Sequence, residues 1–224
     1  MTASFDDLYA RAAARKGGDA ALEALLGTPK SAAELAAIPD ERWLSDMTRR
    51  IFQSGFNWKV IDAKWDGFEA AFWGFDVGRC ALMSDEDLDA LVSDTRIVRN
   101  GAKIRSVREN AAFLQDLAAE YGSAAKCFAE WPAEDYAGLL EMLKKRGSRL
   151  GGRVGAIAMR FMGRDGYVLS EDVVTALIRE GVVDKEPTSR RDVAAVQAAF
   201  NAWAAQSGRP LSHISRVLAF GVDA

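Results

Sequence analysis

Two stretches of this 224-residue chain carry side chains whose types and spacing suit chemistry. The first is residues 51–61, IFQSGFNWKVI, where Trp58 stands near the amides Gln53 and Asn57. An indole can stack on a planar base while amides hydrogen-bond its edge, and such stacking contributes on the order of 1–3 kcal/mol per base. Trp58, Trp65 and Phe68 would serve equally well as core aromatics of a helical segment. The second stretch is residues 147–156, GSRLGGRVGA, set between the amphipathic run DYAGLLEMLKKR and the apolar run AIAMRFMG. Helix, glycine-rich turn, helix is the layout of a helix-hairpin-helix. Glycines let the backbone approach closely, and the N–H groups of the turn and the second helix start converge on one phosphate. Gly151 and Gly152 are the candidate backbone donors, with Lys144, Lys145, Arg149 and Arg153 as charge contacts that position a nucleic acid without reading its sequence. Glycine-rich turns also join packed helices that bind nothing.

The charge distribution bears on that choice. The net charge of −3 argues against a nonspecific polyanion binder. Residues 95–108, however, hold five basic side chains and no acid, and residues 141–164 hold seven basic side chains and one acid. Together they carry +11, leaving −14 on the rest of the chain. A cationic face on an acidic body suits phosphate, since potential is local and screened within about 10 Å. The same pattern fits two solvated helix faces.

Other classes of chemistry have little support. No run of 18 apolar residues is present, so no spanning helix is expected. The N-terminus lacks the layout of a secretory signal, and two distant cysteines, Cys80 and Cys127, make no disulfide framework, so a cytoplasmic location is expected. A single histidine, His213, leaves a Ser-His-Asp triad or a His/Cys zinc site unsupported, and neither metal nor cofactor is expected.

The elements that must position these residues read as helices throughout. Ser84, Ser170, Ser189 and Ser212 precede helical runs as candidate N-caps, and Gly122, Gly147, Gly181 and Gly208 fall where such runs stop. Apolar residues recur at helical spacing in Leu139, Leu140, Leu143 and in Val193, Val196, Phe200, Trp203. An all-α fold of ten or more short helices is expected, with one short extended stretch at residues 166–169 too brief to count as a strand.

The order of motifs resembles the DNA-3-methyladenine glycosylase I family. The pattern is Gln53, Gly55, Phe56 and Trp58, then Phe68 to Phe72, the acidic helix at residues 87–92, Ile97-Val98-Arg99-Asn100, Lys103-Ile104 and Asn110-Ala111. It resumes at Leu143-Lys144-Lys145-Arg146-Gly147 and runs to about Ala176, rather more than half the chain in all. The resemblance implies an all-α helix-hairpin-helix glycosylase fold. It implies double-stranded DNA containing damaged bases as partner, extrusion of the nucleotide, and hydrolysis of the N-glycosidic bond of an alkylated base such as 3-methyladenine. A methylated adenine is cationic and its bond to sugar already weakened, so stacking and orientation do most of the work. Trp58, Gln53, Asn57 and Arg50 are the expected base-pocket residues. The expected segments are a peripheral helical arm at 1–40, a glycosylase-like domain at 41–180 with its hairpin near 135–163, and a helical extension at 181–224 packed on the same unit.

Departures from the family pattern qualify that reading. Arg50 stands at the place of the family's pocket glutamate, where a cation opposes a cationic base unless it points away or pairs with Asp46 one turn earlier. The family's zinc ligands correspond to Asp172 and Ala176, the N-terminal part offers neither His nor Cys, and no zinc is expected. An aspartate found after the hairpin in related glycosylases falls near Ser170, whose acidic neighbours Glu171 and Asp172 suit a first helical turn. No catalytic residue is assigned. The alternatives are a DNA-binding protein that has lost or changed excision on this scaffold, and a helical protein-interaction module.

Overall fold

The computed structural model describes residues 3–222. Among them are fifteen α-helices, two short 3-10 turns and no strand, so the chain is all-α. The extended stretch at 166–169 joins no ladder; the backbone N–H of Val168 instead donates to Ser215 Oγ at 3.3 Å.

The chain divides into two compact units. One gathers the segment ending at Lys30 with Pro132–Gly138 and the chain from Gly163 onward; the other holds Ser31–Trp131 and Leu139–Met162.

In the first unit, helices Phe5–Lys16 and Asp19–Leu26 join Glu171–Arg179, Arg190–Ser207 and Leu211–Phe220. Its core stacks Tyr167 on Phe200, with ring centroids 4.3 Å apart, and sets Tyr136 edge-on to Tyr167 at 5.0 Å. Burial lifts the Tyr167 phenol above its ordinary range, and its hydroxyl donates to Gln197 Oε1 at 3.0 Å. The first described residue is held here by helix Arg190–Ser207, where Trp203 Nε1 donates to the Ala3 carbonyl at 3.0 Å. Ser170 and Ser189 cap their helices as expected. Ser212 does not. Its helix starts one residue earlier, at Leu211, and the free N–H groups of Leu211 and Ser212 are taken by the Asp165 carboxylate at 3.0 and 2.8 Å. A carboxylate brought in by the fold satisfies two donors where the local hydroxyl could reach only one.

The second unit positions the residues of interest. Helix Asp40–Gln53 carries acids Asp40 and Glu41 in its first turn and Arg50 in its last, as the helix dipole favours. Buried residues Trp43, Leu44, Met47, Thr48, Ile51 and Phe52 form one wide stripe at helical period. Against it pack the long helix Gly101–Tyr121 and helix Arg153–Met162. Helices Trp58–Ala63 and Trp65–Ala71 continue the chain, and Trp65 stacks on Phe68 and Phe75 at centroid distances of 4.9 and 5.6 Å. Ser84 closes a capping box with Asp87 on helix Asp85–Ser93.

The hairpin joins the end of helix Tyr136–Arg146 to helix Arg153–Met162, and the two approach closely at Gly155. A Cβ built there would lie 2.5 Å from the Leu150 carbonyl oxygen and 3.2 Å from Leu143 Cδ1. Backbone on one side and core on the other cannot both move aside. Gly155→Ala is therefore expected to cost about 1–3 kcal/mol. A urea unfolding midpoint equal to that of the parent would show that the hairpin tolerates a wider spacing.

Candidate functional site

Helix Asp40–Gln53 ends in a turn, Ser54 to Asn57, that delivers Trp58 to the start of the next helix. The turn needs the left-handed backbone of Gly55, whose φ is +74°. Lys103, itself buried, anchors it. Its ammonium donates to the carbonyls of Phe52 at 3.1 Å and Ser54 at 2.6 Å and lies 4.6 Å from the centre of the Phe56 ring. Burial first, then the like charge of Arg149, pushes the Lys103 ammonium below its ordinary pKa. Asn57 is exposed and caps the next helix, its side-chain oxygen accepting from the Lys59 N–H at 3.0 Å.

Trp58 is 43% exposed, in contrast to Trp65, which is 7% exposed and belongs to the core. Beside Trp58 stands Phe161, 55% exposed, with ring centroids 6.1 Å apart in an edge arrangement. Phe161 falls out of phase with the buried stripe Ala156, Ala158, Met159 and Met162 of its own helix. That phase was readable from the sequence; its meeting with Trp58 was not.

Arg50 sits beneath both rings. Its guanidinium carbon is 3.7 Å from the centre of Phe161 and 5.8 Å from the centre of Trp58, and the residue is only 7% exposed. It pairs with Asp46, as the spacing of one turn allows: Nη2 donates to Oδ1 at 2.7 Å and Nε to the same carboxylate at 3.2 Å. Nη1 donates to Gln53 Oε1 at 2.8 Å, and Gln53 Nε2 donates onward to Asp62 Oδ1 at 3.0 Å. The amide of Gln53 is thus committed on both sides, behind Arg50. Burial raises the Asp46 carboxyl above its ordinary pKa, outweighing the hydrogen bonds and charge of Arg50 that pull it down. Nearby, burial alone would raise Glu69, but hydrogen bonds from Arg42, Ser45 and Trp65 prevail and hold it below the usual carboxylate range.

The glycine-rich turn belongs to the same unit. Arg149 and Gly152 both take left-handed backbone conformations, with φ of +59° and +60°. The turn is held from outside by Asn110, fully buried on helix Gly101–Tyr121. Asn110 Nδ2 donates to the Ser148 carbonyl at 3.0 Å, and the Ser148 N–H donates to Asn110 Oδ1 at 2.8 Å. Around the turn Lys144, Lys145, Arg149 and Arg153 are exposed, as is Gly152, while Gly151 is half-buried under the Lys144 side chain. Lys145 pairs with Glu141 at 3.0 Å and Arg146 with Glu120 at 2.5 Å.

Much of the positive charge counted in the sequence is therefore engaged within the protein. Lys103 is a helix anchor, Arg96 pairs with Asp94 at 2.7 Å, and Arg108 pairs with Asp85 at 3.0 Å. Arg105 and Arg108 line an open cleft of about 480 Å³ with Asp85, Leu88 and Asp89, which holds none of the expected base-pocket or hairpin residues. Among the described residues no group of three or more His, Cys, Asp and Glu side chains could hold a metal ion. Asp172 lies in the first turn of its helix and Ala176 is buried, a pair that does not fit a zinc site. No described helix is long and apolar enough to cross a membrane.

Residues 38–146 match a family model described as methyladenine glycosylase, so the match includes Asp46, Arg50, Trp58 and Asn110 and stops just short of the glycine-rich turn. The chain is similar to DNA-3-methyladenine glycosylase 1 of Escherichia coli, 38% identical over 64 residues, which is 28% of this chain and 34% of that protein. It thus spans about a third of the length of the curated relative it matches. A crystal structure of 3-methyladenine DNA glycosylase I aligns over 61% of this chain and 80% of that one, at 23% identity and a TM-score of 0.47. A structure of 3-methyladenine DNA glycosylase I from Staphylococcus aureus aligns over 55% of this chain and 74% of that one, at 20% identity and a TM-score of 0.47.

Proposed function

We propose that this protein, whose residues 38–146 match the methyladenine glycosylase family model, binds duplex DNA, turns a modified base out onto Trp58 and hydrolyses its N-glycosidic bond. The observation that carries the reading is Trp58 itself. A large aromatic left half exposed, held by a capped helix and a lysine-anchored turn and flanked by a second exposed ring, is a surface kept for a flat partner. In this reading Arg50 faces the base and Gln53 holds Arg50 in place, while Asn57 fixes the start of the helix that presents Trp58. The backbone at Gly151 and Gly152 receives a phosphate, and Lys144, Lys145, Arg149 and Arg153 hold the flanking strand.

The test is base release. Duplex DNA treated with a methylating agent, which carries 3-methyladenine among its products, and duplexes with single modified bases are incubated with the protein, and abasic sites are counted after alkaline cleavage. Abasic sites forming faster than the spontaneous rate, and more slowly with Trp58→Ala than with the parent, are expected. A rate equal to the spontaneous one on every duplex would overturn the proposal. The presence of Arg50 favours a second reading, a DNA-binding protein that keeps the scaffold without excision. Tight binding to damaged duplex with no base release would support it.

A further inference from the structure

We infer that Arg50 makes the pocket of Trp58 and Phe161 selective for an uncharged base that presents a ring carbonyl oxygen, such as hypoxanthine or uracil, over a cationic alkylated base. The inference rests on the reading that this pocket receives a base.

A cationic ring is held by the electron-rich faces of aromatic side chains and by nearby negative charge. Here the aromatic face closest to Trp58 is already occupied by a cation of the protein. The Arg50 guanidinium lies 3.7 Å from the centre of the Phe161 ring, well within cation–π range, and also within that range of Trp58. It is fixed there from two sides, by Asp46 through Nε and Nη2 and by Gln53 through Nη1. Gln53 is in turn held by Asp62, so the guanidinium cannot turn away without breaking a chain of side-chain hydrogen bonds. The Asp46 carboxylate already accepts from Arg50 at two nitrogens, and Asp62, on the helix of Trp58, accepts from Gln53 and lies 3.8 Å from Arg49, so both nearby carboxylates are engaged within the protein.

Donor counting then indicates the partner. A guanidinium has five N–H groups and no acceptor. The contacts with Asp46 and Gln53 use three of them, leaving one on Nη1 and one on Nη2. In a partly buried site these two are satisfied best by an acceptor oxygen, because charge-assisted hydrogen bonds to carbonyl or carboxylate oxygens are the strong ones. A ring carbonyl on a neutral base supplies that acceptor and brings no opposing charge. An alkylated adenine brings positive charge and an exocyclic amine, a donor facing donors.

The experiment compares single-turnover release from duplexes of one sequence carrying hypoxanthine, uracil, 7-methylguanine or 3-methyladenine. Each rate is divided by the spontaneous rate, since cationic bases leave readily on their own. The expected result is an enhancement at least tenfold greater for hypoxanthine or uracil than for either cationic base. Arg50→Gln should reduce that preference at least tenfold, and Arg50→Glu should reverse it. Because Arg50→Gln leaves Asp46 unpaired, the double change Asp46→Asn with Arg50→Gln removes both charges together, and melting temperatures are recorded for all variants. A greater enhancement on the cationic bases, or an equal loss on all four bases in a folded Arg50 variant, would overturn the inference and leave the glycosylase reading standing. Release of no base from any duplex would overturn that reading, and the inference with it.

Discussion

Trp58→Ala is expected to slow base release by about 5- to 150-fold, the loss of roughly 1–3 kcal/mol of stacking, while the protein stays folded. Trp58 is half exposed and contacts Phe161 edge to face, so its removal leaves an open notch and not a sealed cavity. Trp65→Ala is the control. That ring is buried between Phe68 and Phe75, and its loss should destabilise the unit by about 3–5 kcal/mol. Activity and melting temperature should thus separate in the first variant and fall together in the second. Nonspecific, phosphate-driven binding should be nearly unchanged by Trp58→Ala. If Trp58→Ala instead lowered the melting temperature as much as Trp65→Ala, Trp58 would be a packing residue and the pocket assignment would fail.

Asn110→Ala is expected to have the largest effect on the hairpin. The side chain satisfies both the carbonyl and the N–H of Ser148, as a paired strand would, from within the core. Truncation leaves two part-buried backbone groups of Ser148 without their partner, at up to about 1–3 kcal/mol each. The turn that carries Arg149, Gly151 and Gly152 would loosen, and affinity for duplex DNA should fall at least tenfold. Asn110→Asp keeps the acceptor but loses the donor and buries a carboxylate against the Ser148 carbonyl, so it should be at least as unstable as Asn110→Ala and bind duplex no better. Unfolding curves and duplex titrations of the three proteins check this ordering. A fully stable Asn110→Ala protein with parental affinity would mean that the hairpin holds its own shape.

How far the sequence exposed these features depends on the range of the interactions involved. Ser84, Ser170 and Ser189 were legible as caps because the hydroxyl and its N–H partner lie three residues apart. Ser212 misled because Asp165, 46 residues away, arrives at the same helix start with a better acceptor. The Asp46–Arg50 pair was legible from the helical period; the onward contacts to Phe161 were not, since Phe161 comes from a helix more than 100 residues later. The charge tally also overstated the free positive surface, because Lys103 and Arg164 are buried and Arg96, Arg108 and Arg146 hold carboxylates. Grouping the segment before Lys30 with the chain after Gly163 rests on contacts such as Trp203 to Ala3, which no local pattern announces.

In the proposed function the second unit grips duplex DNA through the hairpin and receives an extruded base at Trp58. Equilibrium binding of the full chain to a duplex with one abasic-site analogue, and to the intact duplex, across a series of salt concentrations tests it most directly. Tighter binding to the abasic duplex and a log–log salt slope of roughly −0.9 for each phosphate contacted are expected. Equal affinity for both duplexes and for an unrelated acidic polymer, with a shallow slope, would contradict it.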